Sequence, residues 1–352
     1  MEKNSRIYIA GHRGLVGSAI VRKLLSLGYE NLITFSSSEL DLRDKVATES
    51  MFEKYKPEYV VVAAAKVGGI LANNSYKADF IYDNTAISMN VIHSAYLNGV
   101  TKLVNLGSSC IYPKFAPQPL KEEYLLTGKL EPTNEPYAIA KITALKMCNF
   151  YYEQHGCNFF TLMPPNLYGP GDNYNLETSH VLPAFIRKFK LAKLLSDKNF
   201  TLIRKDLEYY SLGFGFDSEI KSMSDSEISV ALLKLGIAAN KVLLWGTGEI
   251  RREFEHSDDI ASAVVYSLQN LSAANIGSFI NIGYGEDIKI SDLANMIAKM
   301  SDYKGEIAFA GSGPTGTPVK LLDNSKAKAL GIEPKISLEE GIMRTINDYA
   351  HA

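Results

Sequence analysis

No stretch of this chain reaches the roughly 20 consecutive apolar residues that a membrane-spanning helix needs. Cysteine is scarce: Cys110, Cys148 and Cys157 are the three in 352 residues. Three cannot close a disulfide framework, and a chain this long does not need one, so a reducing cytoplasm is expected. Charge of one sign is missing too. Lys plus Arg number 37 against 39 Asp plus Glu, a net charge of −2, which gives no support for nucleic acid or an anionic membrane as the main partner. The six histidines are scattered, none at ligand spacing with a cysteine or a second histidine, so no metal is expected. The opening Met1-Glu2-Lys3-Asn4-Ser5-Arg6 has no apolar run with a cleavage signal behind it, so no secretory peptide is expected. There is no internal repeat and no low-complexity tract.

Apolar residues make up 46% and charged residues 22%, the balance of a globular chain with a substantial core. The length suits one large domain or two closely joined ones. Strand candidates are Ile7–Ala10, Leu32–Phe35, Tyr59–Ala64, Lys102–Leu106 and Phe159–Met163. Helical patterns lie between them, such as Val16, Ile20, Leu24 and Leu27, then Ala86 through Tyr96. Strands alternating with helices imply βαβ units and an α/β fold with a doubly wound parallel sheet. The unbroken Val60-Val61-Val62-Ala63-Ala64-Ala65 run fits a strand buried on both faces. From about 190 to 240 the chain turns charged and polar, with an aromatic and glycine patch at Tyr209-Tyr210 and Gly213-Phe214-Gly215-Phe216. Ser224 to Glu227 forms a capping box ahead of Ile228, Ala231, Leu232 and Leu235 at helical spacing, which predicts an inserted helical excursion. Phe279-Ile280-Asn281-Ile282 predicts a return to the sheet.

The first strand runs straight into Gly11-His12-Arg13-Gly14-Leu15-Val16-Gly17 and then a helix. Glycines at this spacing allow a tight turn, close backbone approach to a pyrophosphate and close helix–strand packing, while the helix N-terminus presents free N–H groups. A glycine triplet alone also suits a turn with no ligand; its strand–turn–helix context points to dinucleotide binding. The second strand ends in Ser36-Ser37-Ser38-Glu39, which carries neither a clear acid for NAD nor a clear base for NADP. Arg13, if not simply solvated, can pair with a 2′-phosphate with serine hydroxyls helping, so NADPH is favoured and NADH is the alternative.

Tyr137 and Lys141 fall on one face of a helix opened by Glu135-Pro136. A phenol with a reference pKa near ~10 needs a shift of about 3 units, or about 4 kcal/mol, to work as an acid or base at neutral pH. A neighbouring ammonium together with the charge of the oxidised nicotinamide supplies much of it. Ser108 follows the strand Lys102–Leu106, at the C-terminal edge where ligands of parallel sheets bind, and its hydroxyl can hydrogen-bond a substrate carbonyl. Singly, Tyr-x-x-x-Lys is an ordinary helix face and Ser108 a helix cap. Together with the glycine turn they point to carbonyl reduction.

These residues resemble the extended short-chain dehydrogenase/reductases, and within them the GDP-L-fucose synthase family of GDP-4-keto-6-deoxymannose 3,5-epimerase–4-reductases. The resemblance runs through Gly11-His12-Arg13-Gly14, Ala63-Ala64-Ala65-Lys66-Val67-Gly68-Gly69-Ile70, Gly107-Ser108-Ser109-Cys110-Ile111-Tyr112-Pro113, Glu131 to Tyr137, Asn166-Leu167-Tyr168-Gly169-Pro170, Trp245-Gly246, Arg252-Glu253-Phe254 and Gly316-Thr317-Pro318. It implies a Rossmann domain over 1–167 plus about 253–285. It also implies a smaller C-terminal α/β substrate domain over 168–252 and 286–352, and a homodimer. Ser108, Tyr137 and Lys141 become the reduction centre, and Cys110 with His180 an epimerisation acid/base pair. Asp41, Leu42 and Ala64 join the glycine turn in the cofactor pocket. Ser109 and Asn166 go to the substrate, Arg252 and Lys320 to a diphosphate, Trp245 to the nucleotide pocket, with Arg187 and Lys188 assisting.

Two features depart from the family pattern. An arginine expected on the second strand is replaced within Ser36–Ser38, and the 190–240 segment is longer than expected beside the sugar and nucleotide site. The substrate is therefore expected to be a GDP-4-keto 6-deoxyhexose or heptose, with reduction alone as the second possibility. A 4,6-dehydratase would place an acidic pair where Ser109-Cys110 stands. A 4-epimerase would share Ser108, Tyr137 and Lys141 without needing Cys110 and His180, and a non-catalytic nucleotide-binding protein would have no use for Tyr137 and Lys141.

Overall fold

The computed structural model describes residues 1–311 and 316–351. Its strands are β1 (Ile7–Ala10), β2 (Leu32–Ile33), β3 (Tyr59–Val62), β4 (Lys102–Leu106), β5 (Phe159–Met163), β6 (Asn166–Tyr168), β7 (Lys241–Leu244), β8 (Arg251–His256), β9 (Phe279–Asn281), β10 (Asp287–Lys289), β11 (Glu306–Phe309) and β12 (Val319–Lys320). Six of them form one parallel sheet in the order β2-β1-β3-β4-β5-β9. All residues of β1, β4 and β5 are buried, because helices cover both faces. One face packs Ile7, Ile9, Val61 and Val104 against the helices Leu15–Ser26 and Ser257–Asn270. The other packs Tyr8, Val60, Val62 and Leu103 against Lys45–Tyr55, Lys77–Leu97 and Glu135–His155.

Two predicted strands end early. β2 stops at Ile33 rather than Phe35, because the Ser36 amide and hydroxyl turn back to the Glu39 carboxylate at 2.8 and 2.6 Å. β3 stops at Val62 rather than Ala64, because Ala63 and Ala64 pass directly over Gly11.

The smaller region holds β8 between β10 and β12, with β6 beside β8, and a separate β7–β11 pair. Its core gathers Tyr168, Phe185, Ile186, Leu232, Leu293 and Ile297. The 190–240 segment is no loose excursion: Ile203, Leu207, Leu212, Ile220, Ile228 and Leu232 all enter that core. The Ser224–Glu227 capping box closes on the helix Asp225–Lys234. Two segments sit differently from the expected division. β8 belongs to the smaller sheet, and Ala327 and Ile332 pack on the core of the large one. Among the described residues no helix is long and apolar enough to cross a membrane.

Candidate active site

Strand order reverses between β1 and β3: β1 leads outward to β2, whereas β3 begins the march to β9. In open parallel sheets the crevice at such a reversal receives the ligand. Here it is a cleft of about 1020 Å³ lined by the whole Gly11–Gly17 turn, with Asp41, Leu42 and Ala64, then Ser108, Tyr137, Asn166 and His180. Gly11 takes φ +84°, and a Cβ there would lie 2.7 Å from Ala64 Cα. A Cβ on Gly17 would overlap the Gly11 carbonyl oxygen, so helix and turn touch backbone to backbone. Gly14 caps the helix Leu15–Ser26 without a side chain, leaving its first N–H groups open to an anion. His12 Nδ1 is buried beside this turn without a partner. The cradle fits a dinucleotide.

At the far end of the turn Glu39 is tied to Ser36, whose hydroxyl and amide hold its carboxyl below the usual range, with Arg13 and His12 adding to the effect. Glu39 does not line the cleft, whereas the exposed Arg13 and Ser37 face it. Asp41 pairs with Arg43 at 2.8 Å, which also reaches Asp83 at 3.1 Å; Lys66 meets Asp83 at 2.9 Å. Sequence reasoning passed over Arg43, Asp83 and Asp172 on this wall, because no local motif marks them. Burial lifts the Asp172 carboxyl to about 7, and one of its oxygens has no partner.

Ser108 follows β4 and caps the short helical turn Ser109–Ile111, its hydroxyl accepting from the Cys110 amide at 3.4 Å. Ser109 is buried behind it, donating its amide to the Pro164 carbonyl at 3.2 Å. Pro136 in the first turn of the helix Glu135–His155 sets Tyr137 and Lys141 against the sheet edge. Lys141 Nζ donates to the Leu106 carbonyl at 2.8 Å and stands 5.7 Å from the centre of the Tyr137 ring. Burial lowers the Lys141 pKa to about 8. Burial also pushes the Tyr137 phenol up, with the Cys110 charge adding to it, and a phenol held protonated suits a proton donor. Burial raises the Cys110 thiol, opposed by Lys320, Ser108 and Lys141. His180 stands on the cleft wall at the start of the helix Val181–Ser196, and both its enclosure by protein and the Lys320 charge lower its pKa.

The expected substrate role of Arg187 is not what the structure gives. Its side chain is fully buried, and all five donors are used: Asp206 takes Nε and Nη2, Nη1 reaches the Tyr174 and Ser211 carbonyls, and Nη2 also reaches Tyr210. Lys188 is likewise turned inward, donating to Leu235 at 2.7 Å and Leu243 at 3.3 Å. Both brace backbone, so neither reaches the cleft. Arg252 and Lys320 are register partners on β8 and β12. Burial lowers Arg252 to about 10 and Lys320 to about 8, with Arg252 adding to the fall at Lys320. Two adjacent desolvated cations make a setting for an anion. Trp245 follows β7 and is half exposed.

A glycine cradle at the sheet's reversal point, facing a serine, a tyrosine and a lysine, defines a nicotinamide-dependent enzyme of the extended short-chain dehydrogenase/reductase class. The chain belongs to the NAD dependent epimerase/dehydratase family, whose profile matches residues 7–211 and 218–283. It is 46% identical over 348 residues to GDP-L-fucose synthase 1 of Arabidopsis thaliana, covering 99% of this chain and 94% of that one. Among solved structures it is similar to a GDP-6-OMe-4-keto-L-xylo-heptose reductase from Campylobacter jejuni, at TM-score 0.93 and 42% identity, over 100% of this chain and 99% of the other. A GDP-D-glycero-L-gluco-heptose synthase from Campylobacter jejuni, solved in the presence of NADPH, matches at TM-score 0.90 and 40% identity over 100% of both chains.

Proposed function

We propose that this protein is an NADPH-dependent reductase of the C4 ketone of a GDP-linked sugar, a 6-deoxyhexose or a heptose. The observation that carries the reading is that Ser108 and Tyr137 line the same cleft as the Gly11–Gly17 turn. When bound, NADPH supplies the hydride. The Ser108 hydroxyl donates to the sugar carbonyl and stabilises the developing oxyanion. Tyr137 gives its proton to that oxygen, which is the stronger base, and the Lys141 ammonium stabilises the phenolate until solvent returns the proton. Arg252 and Lys320 hold the diphosphate. Similarity to a GDP-L-fucose synthase and to two GDP-heptose enzymes supports both sugar classes, and the heptose class has the additional support of the long segment built into the smaller core. Offering GDP-4-keto-6-deoxymannose and its heptose counterpart with NADPH or NADH, then identifying the product by NMR, tests this. Consumption of NADPH with neither sugar overturns it.

Epimerisation at C3 or C5 is the second reading, favoured by Cys110 lying in the turn that Ser108 caps and by His180 lining the same cleft as Ser108. The C4 ketone acidifies both neighbouring carbons, so one group takes a proton and the other returns one to the opposite face. In D₂O the wild type then incorporates deuterium at C3 or C5, and Cys110→Ser loses it while still reducing the ketone. A product without deuterium at either carbon makes the protein a reductase only.

A homodimer is proposed through the helices Lys77–Leu97 and Glu135–His155. They pack together and expose Tyr82, Met89, Leu97, Ile139 and Phe150. Introducing Tyr82→Glu with Phe150→Glu shifts the sedimentation coefficient to that of a monomer; a wild type that already sediments as a monomer refutes this.

A further inference from the structure

Two buried oxygens on the cleft wall take no part in the chemistry described. Asn73 Oδ1 and Asp172 Oδ2 have no hydrogen-bond partner among the described residues, and both side chains line the cleft. Buried polar atoms are as a rule paired, so two left open beside a cavity call for a partner that the protein does not supply.

One run of hydrogen bonds joins them. The Asn73 side-chain amide donates to the Gly68 carbonyl at 2.6 Å and the Gly69 carbonyl at 3.2 Å. The Gly69 amide donates to the Thr178 carbonyl at 2.8 Å. The Asn173 side-chain amide donates to the Thr178 hydroxyl at 3.0 Å, and its backbone amide donates to Asp172 Oδ1 at 2.7 Å. The run fixes the Asn73 amide and Asp172 Oδ1, and leaves a free oxygen at each end. A Cβ on Gly69 would lie 2.6 Å from the Ser179 carbonyl oxygen, so the two loops meet backbone to backbone just before His180. A Cβ on Gly68 would lie 3.4 Å from the Phe80 ring, which packs on Tyr137 at 6.3 Å. The run therefore borders the part of the cleft that holds Tyr137 and His180. Burial lifts the Asp172 carboxyl to about 7, so near neutral pH it both donates and accepts.

We propose that Asn73 and Asp172 form a hydroxyl-binding subsite that positions the sugar ring in front of Tyr137. This rests on the GDP-sugar reading. A pyranose hydroxyl is donor and acceptor at once, so it satisfies an amide oxygen and a carboxyl alike. Arg252 and Lys320 attract any diphosphate, whereas Asn73 and Asp172 respond only to the sugar beyond it.

Calorimetric titration with GDP-mannose and with GDP reads the subsite without turnover. The wild type should bind GDP-mannose about 10-fold more tightly than GDP. Asp172→Ala should lose that advantage, and Asp172→Asn, which keeps a polar group in the same place, should retain it. GDP and NADPH affinities should be unchanged in both variants, which also shows that the fold is intact. An undiminished advantage in Asp172→Ala overturns the proposal, as does no advantage in the wild type, or a fall in NADPH affinity in its place. If the advantage depends on Asp172 while no GDP-4-keto sugar is reduced, the subsite stands and the reaction assigned above falls.

Discussion

Tyr137→Phe should lower kcat for ketone reduction by about 10²- to 10⁴-fold, the usual contribution of a positioned proton donor. The substitution removes one oxygen and keeps the ring, which packs edge-on against Phe80 at 6.3 Å. The helix that carries it is anchored independently, through Pro136 in its first turn and the Lys141 bond to Leu106. NADPH affinity and thermal stability should therefore change little. The loss belongs in kcat rather than KM, because the proton transfer occurs only as the oxyanion develops. Steady-state kinetics beside a cofactor titration separate these effects. A variant retaining wild-type kcat would remove the phenol from the mechanism.

Gly17→Ala should abolish useful NADPH binding while leaving most of the fold intact. The added carbon would overlap the Gly11 carbonyl oxygen and press on the Gly11 carbonyl carbon at 2.7 Å and His12 Cα at 2.9 Å. All of these are backbone atoms, with no flexible side chain to yield. Overpacking of this kind costs about 1–3 kcal/mol. Relief requires the helix Leu15–Ser26 to move off the turn, which takes its N-terminal amides away from the pyrophosphate as well. The combined effect is a fall in NADPH affinity of about 100-fold or more, read by calorimetric titration. Affinity within a factor of about two of wild type would mean that the turn does not cradle the cofactor.

β1, β4 and β5 follow the sequence prediction residue for residue, because strands buried on both faces show as mainly apolar runs, broken here only by Lys102 and Asn105 in β4 and Thr161 in β5. β2 and β3 were overextended: their last residues are apolar, and only the Ser36–Glu39 turn and the approach to Gly11 end them. Spacing placed Ser108, Tyr137 and Lys141 correctly relative to the sheet edge, since each sits at a fixed offset from a strand end or a helix start. Arg187 and Lys188 show the opposite case. A sequence displays their charge but not the carbonyls around them, and the partners come from 174–243, well apart along the chain. The burial around Tyr137 was hidden for the same reason. Proximity of an ammonium is legible at i+4, whereas the depth of burial that outweighs it is set by tertiary packing.

Capping chemistry in the 190–240 segment was equally legible at Ser224 and Glu227, whereas its entry into the smaller core was not. Amphipathic spacing at Ile228, Ala231 and Leu232 shows that a face is covered without saying by what.

The claim beneath all of this is direct hydride delivery to a sugar ketone in front of Tyr137. Incubation of the protein with a GDP-4-keto sugar and NADPH deuterated at the nicotinamide C4 tests it most plainly. Deuterium at C4 of the reduced sugar, one atom for each cofactor oxidised, is the predicted result. Sugar recovered unreduced with the labelled cofactor intact would contradict it.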